Sequence, residues 1–205
     1  MRSETTHDTD GFLIHWSRGY DIFVGPLVRR TDKPILALAE VKSGDAVLDV
    51  GTGPGFLART AAGMVGPTGR AVGLDASPEM VERAIQVAER KGLNATFVLA
   101  GAQRMPFGEA EFDAVVSRLA MHHIPTMREA AIAEIHRVLK PGGRVVIADL
   151  ASHSTGGLLH DLVRQAHDRS GEIAGEIEGL VAGAGFVDIG TGRLGILAYV
   201  KARRV

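Results

Sequence analysis

One stretch limits what this chain can fold into more than any other: Val47-Leu48-Asp49-Val50-Gly51-Thr52-Gly53-Pro54-Gly55-Phe56-Leu57. Val47, Leu48 and Val50 make the short apolar run expected of a central parallel strand covered on both faces. Gly51, Gly53 and Gly55 follow at alternate positions. A backbone without Cβ can turn sharply there and approach a ligand closely. Leu57, Ala58, Ala61 and Ala62 then begin a helical pattern, so the turn opens onto a helix N-terminus with free N–H groups. The first expectation is a nucleotide-like ligand lying over this turn.

The rest of the chain is consistent with one domain over residues 1–205, large enough to bury a core. Glycine is abundant, 26 residues in all, and no collagen-like period or low-complexity run accounts for it. Turns at element ends are therefore expected to hold them. The net charge of -1 argues against a nucleic-acid-binding domain. With no cysteine, a disulfide framework, a thiolate metal site and a cysteine nucleophile are all excluded. Residues 1–10 are polar, read as flexible, and lack the apolar core of a signal peptide. No apolar run approaches the roughly 20 residues of a membrane span. A cytoplasmic location is expected, with no metal.

Hydrophobic spacing orders the elements. Phe12, Trp16, Tyr20 and Phe23 recur at helical spacing, and Leu27 to Val41 forms a second helical stretch broken at Pro34. After the glycine turn come a helix over Phe56–Met64 and a strand over Arg70–Leu74 ending in Asp75. Ser77 then suits an N-cap and Pro78 a first helical position, for a helix over Pro78–Lys91. Strands follow at Thr96–Leu99 and Phe112–Ser117. A helix over Met127–Leu139 precedes a Lys140-Pro141-Gly142-Gly143 turn and a strand over Arg144–Ile147. Strands alternating with helices specify a parallel α/β sheet. Helices over Ser152–Arg169 and Ile173–Gly183 precede strands at Phe186–Ile189 and Leu194–Lys201. Only Gly190–Arg193 joins these strands, too little for a crossover, so they form an antiparallel hairpin.

Asp75 turns the glycine stretch into a chemical statement. A carboxylate ending the second strand, some 20 residues beyond the glycines, is placed to accept hydrogen bonds from both hydroxyls of a ribose. The dinucleotide fingerprint needs a third glycine where this chain has Phe56. A short-chain nicotinamide reductase would also need a Tyr-x-x-x-Lys pair. Tyr20 and Tyr199 are followed at that spacing by Val24 and Arg203. An adenosine cofactor without a pyrophosphate fits better.

Five ordered segments carry a resemblance: Val47–Leu57, Gly73–Met80, Arg104–Phe107, Phe112–Ser117 and Val138–Gly143. In them the chain resembles the class I S-adenosylmethionine-dependent methyltransferases, most of all the ubiquinone/menaquinone-biosynthesis branch. The resemblance implies a Rossmann-like α/β fold: a seven-stranded, mostly parallel sheet with an antiparallel last strand, helices on both faces and N-terminal helices. It also implies S-adenosyl-L-methionine as cofactor. Gly51, Thr52, Gly53 and Gly55 would lie against its amino-acid portion, with Asp49 organising the turn or meeting the ammonium. Asp75 would hold the ribose, and Ala76 and Met80 would line the adenine. The family's usual adenine-binding Asp aligns with Gly101 here, within Ala100-Gly101-Ala102-Gln103, so either Gln103 or backbone groups replace it. Ser117 would face the cofactor through its carbonyl, and Tyr20 would cover it.

His122 and His123 stand where donor and acceptor would meet. Two readings compete: His122, or else His123, serves as a general base near neutral pH, or one packs while the other is solvated. Residues 151–171 would form a short cap, leaving an open site suited to completion in a homodimer. The function implied is methyl transfer to a small-molecule acceptor. An inactive, cofactor-binding interaction protein is the alternative, and a nicotinamide reductase the weaker one.

Overall fold

A computed structural model describes residues 29–151 and 173–205. The Phe12–Phe23 helix with Tyr20, and the Ser152–Arg169 helix with the cap, lie outside these residues. A 3-10 turn, Arg29–Thr31, leads into α1, Asp32–Leu38. Pro34 does not break this helix. It occupies the first turn, whose N–H groups have no helical acceptor, so its missing donor costs nothing there.

The strands are β1 (Ala46–Val50), β2 (Arg70–Asp75), β3 (Ala95–Leu99), β4 (Phe112–Arg118), β5 (Leu139–Leu150), β6 (Phe186–Leu194) and β7 (Leu197–Arg204). Helices α2 (Phe56–Val65), α3 (Pro78–Arg90), α4 (Arg128–Val138) and α5 (Ile173–Gly183) intervene. The sheet runs β3-β2-β1-β4-β5-β7-β6. β1 to β5 are mutually parallel, and β7 is antiparallel to both its neighbours. The implied fold is the one found.

Two further local expectations are corrected. Gly190–Arg193 is not the hairpin loop but part of β6, paired with β7 through Lys201, Val200, Tyr199 and Ala198. The turn is Gly195-Ile196, the two-residue connection that hairpins favour. Lys140–Gly143 lies within β5 rather than ahead of it. Phe112 faces Leu139 and Ala114 faces Arg144, and residues 140–143 loop out between them.

Alternation along the strands explains why Val47, Leu48 and Val50 of β1 are all apolar, since both faces are covered. Leu48, Val50, Val72, Leu74, Val115 and Ile147 point to one face, beneath Ile132 and Ile135 of α4 and Ile177 of α5. Val47, Ala71, Ala114, Val116 and Val146 point to the other, beneath Ile35 and Leu36 of α1 and Leu57 and Ala61 of α2. With both faces covered, the open end of the sheet is left for function. The carboxyl ends of β1 to β5 all reach it, as ligand sites in open α/β sheets require.

Candidate active site

The cavity at this end begins with the turn after β1. The N–H groups of Gly51 and Thr52 both donate to the Leu74 carbonyl, at 2.8 and 2.9 Å, stitching the turn to β2. Gly51 has φ +70°, and a Cβ there would fall 2.3 Å from the Ala120 Cβ. Gly53, at φ +53°, has nothing within 4 Å of a would-be Cβ. A side chain at Gly53 would therefore fill cavity rather than protein, leaving bare backbone facing a ligand. Arg59 of α2 reaches back to the Pro54 carbonyl at 2.5 Å and braces the far side of the turn. Gly55 does not line the cavity. It caps α2 in the left-handed conformation and packs against Phe97 and Arg59.

Two carboxylates organise this side. Asp49, 2% exposed, accepts from Thr52 Oγ1 at 2.6 Å and from the Ala58 N–H at 3.1 Å. Burial pushes its pKa up to about 6, against the pull of Thr52 and of the Arg118 charge. Asp75 accepts from the Gly53 N–H at 2.7 Å and the Ser77 N–H at 2.9 Å, one on each carboxylate oxygen. Burial raises its pKa too. A carboxylate has about four lone-pair sites, so room remains on Asp75 to receive the hydroxyls of a ribose. Ser77 caps α3 by accepting from the Met80 N–H at 3.3 Å, with Pro78 in the first turn as the spacing predicts. Ala76, Met80, Ala100, Gly101, Ala102 and Gln103 complete this end of the cavity.

The other end is built from side chains. Arg118, ending β4, pairs with Asp32 of α1 and donates to Thr31 Oγ1 at 3.1 Å. Arg118 and Asp32 side chains are 7% and 6% exposed. Leu119 follows at φ +55°, a left-handed conformation that costs a non-glycine residue about 1 kcal/mol or more. Its N–H is held by the Ala148 carbonyl at 2.9 Å. The reversal it creates leads into a 3-10 turn, Met121–His123. Asp149 of β5 fixes that turn, accepting from the His122 N–H at 3.1 Å and meeting His122 Nδ1 at 2.7 Å. Arg128 of α4 donates from Nε to the Met121 carbonyl at 2.9 Å and pairs with Glu176.

The two histidines thus separate. His122 is packed, its side chain 6% exposed. His123 lines the cavity, its ring centroid 3.9 Å from that of His122. Ser117 does not line the cavity; it is fully buried and donates to the Val50 carbonyl at 2.9 Å. Tyr20 lies outside the described residues. Of the expected positions, Asp49, Gly51, Thr52, Gly53, Asp75, Ala76, Met80, Gly101, Ala102, Gln103 and His123 share one cavity. Arg118, Leu119, Arg128 and Asp149 were not singled out from sequence, although Arg118 and Asp149 end or nearly end strands that point at the site. Among the described residues no cluster of acids and histidines could hold a metal ion.

Such an end-of-sheet cavity, with a bare glycine turn and a ribose-ready carboxylate, defines a Rossmann-like domain for an adenosine cofactor. Residues 47–143 match the family model described as a methyltransferase domain. The chain is 33% identical over 150 residues to a ubiquinone/menaquinone biosynthesis C-methyltransferase of Pseudomonas aeruginosa, covering 72% of this chain and 56% of that protein. It is 33% identical over 153 residues to an arsenite methyltransferase of Halobacterium salinarum, covering 74% and 36% respectively. The chain therefore spans about half, or a third, of the curated relatives it matches. A solved structure of a SAM-dependent methyltransferase from Aquifex aeolicus superposes with a TM-score of 0.72 at 25% identity, over 85% of this chain and 89% of that one. Residues 47–143 thus carry a methyltransferase domain, and the chain is similar in sequence and fold to S-adenosylmethionine-dependent methyltransferases. The open space at Gly53 and the Asp75 carboxylate fit an adenosine cofactor such as S-adenosylmethionine.

Proposed function

We propose that the protein transfers a methyl group from S-adenosylmethionine to a small-molecule acceptor that approaches from the His123 side of the cavity. The observation carrying this reading is that Asp75 and His123 line one continuous cavity. A carboxylate suited to a ribose and a titratable imidazole thus share one site, which supports the reading. When bound, the cofactor supplies an activated methyl group for in-line displacement. The chain's own contribution is alignment and exclusion of water. Asp75 holds hydroxyls, the bare backbone at Gly53 admits close approach, and Asp49 offers a carboxylate to an ammonium. Where the acceptor must lose a proton, the His123 ring can take it. His122 is a positioning residue, held by Asp149 beneath His123.

The relatives named above differ in acceptor, one acting on arsenite and another on carbon in quinone biosynthesis, so the acceptor class is left at small molecule. The stretch between β5 and α5 is short, which supports an acceptor side completed in a homodimer; light scattering at micromolar concentration tests that. Titration calorimetry with S-adenosylmethionine and S-adenosylhomocysteine tests the whole reading. Micromolar binding of both is expected, and binding of neither overturns it. Incubation of cell extract with methyl-labelled cofactor, followed by mass spectrometry, then identifies the acceptor.

A further inference from the structure

Phe56 is a wall common to two hollows, the cavity at the end of the sheet and a groove of about 370 Å³ lined from α2 and α3. Five cations line the groove: Arg29, Arg59, Arg83, Arg90 and Lys91. Among the described residues no carboxylate does. On a chain whose net charge is -1, this is a strong local excess. Like charges drawn together repel, so the gathering costs stability that a bound anion would restore. The cations are also held in place. Arg59, 7% exposed, donates to the Pro54 carbonyl at 2.5 Å. The guanidinium carbons of Arg29 and Arg59 lie 5.5 and 5.3 Å from the centroid of the Phe56 ring, an attraction that orients both. Arg83, Val87 and Arg90 follow at helical spacing along one face of α3. Arg90 is tethered to that helix by an Nε bond to the Gln86 carbonyl at 3.1 Å. Val87 and Phe56 supply the apolar part of the lining.

We infer that this groove is a second binding site, separate from the end-of-sheet cavity, for a soluble anion carrying two or more phosphate groups. Guanidinium forks match phosphate oxygens two at a time, and an ammonium adds a point charge. A single carboxylate would offset one of the five positive charges. A phosphate group carries about −1.5 to −2 near neutral pH, so about two or three of them balance the set. The length agrees. Arg83 and Arg90 stand about two helical turns apart, roughly 10 Å along the axis, which is beyond the reach of one phosphate. The volume agrees as well, since a groove of about 370 Å³ has the size of a small-molecule site rather than of a single ion. Its recessed shape favours a discrete molecule over a flat charged surface, because the buried Arg59 is out of reach of a membrane plane.

The test is calorimetry on the full chain with sodium tripolyphosphate and, separately, orthophosphate, each alone and with S-adenosylhomocysteine present. One tripolyphosphate per chain is expected to bind, with orthophosphate weaker by about tenfold or more because it meets fewer of the cations. The double variant Arg83→Gln/Arg90→Gln should weaken tripolyphosphate by about tenfold or more, as loss of two charge-assisted hydrogen-bonding partners implies. Lys42→Gln/Lys201→Gln removes the same charge from exposed positions outside the groove and should change the affinity by less than about threefold. S-adenosylhomocysteine should not displace the anion. The inference is overturned if tripolyphosphate does not bind at millimolar concentration, if orthophosphate binds as tightly, if the two double variants weaken binding equally, or if S-adenosylhomocysteine competes. Cosedimentation with vesicles of phosphatidylcholine and phosphatidylglycerol distinguishes the other source of phosphate. The chain is expected to stay in the supernatant; pelleting that Arg83→Gln/Arg90→Gln abolishes would overturn a soluble ligand in favour of a lipid surface.

Discussion

The two ends of the cavity are made of different materials. On the donor side, backbone does the work: the Gly51 and Thr52 N–H groups tie the turn to β2, and those of Gly53 and Ser77 hold the Asp75 carboxylate. On the acceptor side, side chains reach across the fold, Arg118 to Asp32, His122 to Asp149 and Arg128 to Met121 and Glu176. A backbone-built site can change only through glycine, proline or the strand register. A side-chain-built site can be rewritten one residue at a time. That division suits a protein class in which one donor serves many acceptors.

The largest effects should come from breaking the backbone half. Gly51→Ala adds a Cβ at positive φ and within 2.3 Å of the Ala120 Cβ. It should cost about 2 kcal/mol or more of stability, read by thermal denaturation, and abolish S-adenosylhomocysteine binding. Gly53→Ala meets no such clash and should cost only the backbone component, about 1 kcal/mol, while still weakening binding because its methyl enters the cavity. Equal destabilisation by the two would show that the Ala120 contact does not matter.

On the acceptor side, Asp149→Ala leaves the buried His122 N–H and Nδ1 without their partner. A stability loss of about 1–3 kcal/mol is expected, with cofactor affinity kept within about threefold. A loss of binding as deep as that of Gly51→Ala would erase the distinction between the two halves.

A third effect is smaller and depends on pH. Asp49 keeps its proton up to about pH 6 in the free protein. An ammonium-bearing ligand favours the ionised form, so S-adenosylhomocysteine affinity should rise as pH increases through about 6. Asp75, also raised, titrates in the same sense. Calorimetry on Asp49→Asn isolates the contribution, and its profile should be flatter. For the free protein the sign is opposite: a raised carboxylate pKa means ionised Asp49 costs stability. That cost is relieved as pH falls through about 6 towards the ordinary 3.8. Smallest of all, Lys140→Ala removes an ion pair to Asp113 whose lysine side chain is 43% exposed. It should change stability by less than about 1 kcal/mol and leave binding untouched.

The same contrast explains what could be read from the amino acids alone. Gly51, Gly53 and Asp75 stand within one βαβ unit, where spacing maps directly onto geometry, and the helix start at Ser77-Pro78 is local chemistry. The Arg118–Asp32 and His122–Asp149 pairs join residues far apart in the chain, and no local pattern marks them. Which histidine faces the cavity was open for that reason, since adjacent residues of a 3-10 turn diverge only once Asp149 has captured one of them. Leu119 was invisible because nothing in a leucine signals a left-handed backbone; the Ala148 carbonyl and the packing around it impose that conformation. At the hairpin, Gly190 and Gly192 mimic a loop. Yet Gly192 faces Tyr199, whose ring occupies the space a side chain at 192 would need.

β7 follows β6 in the chain but lies between it and β5. During synthesis, then, β1 to β4 and their crossovers can assemble while the far edge of β5 is still bare. β6 has nowhere to dock until β7 exists, so the pair must add as a preformed hairpin. Asp149, which pairs with Ala198 of β7, is secured only by that late event. The strands and turns proposed to hold the cofactor belong to the early-assembling part and the support beneath His123 to the late one. A nascent chain halted before β7 should already recognise S-adenosylhomocysteine while its acceptor side is still unset, and release of the last strand is what would make it an enzyme.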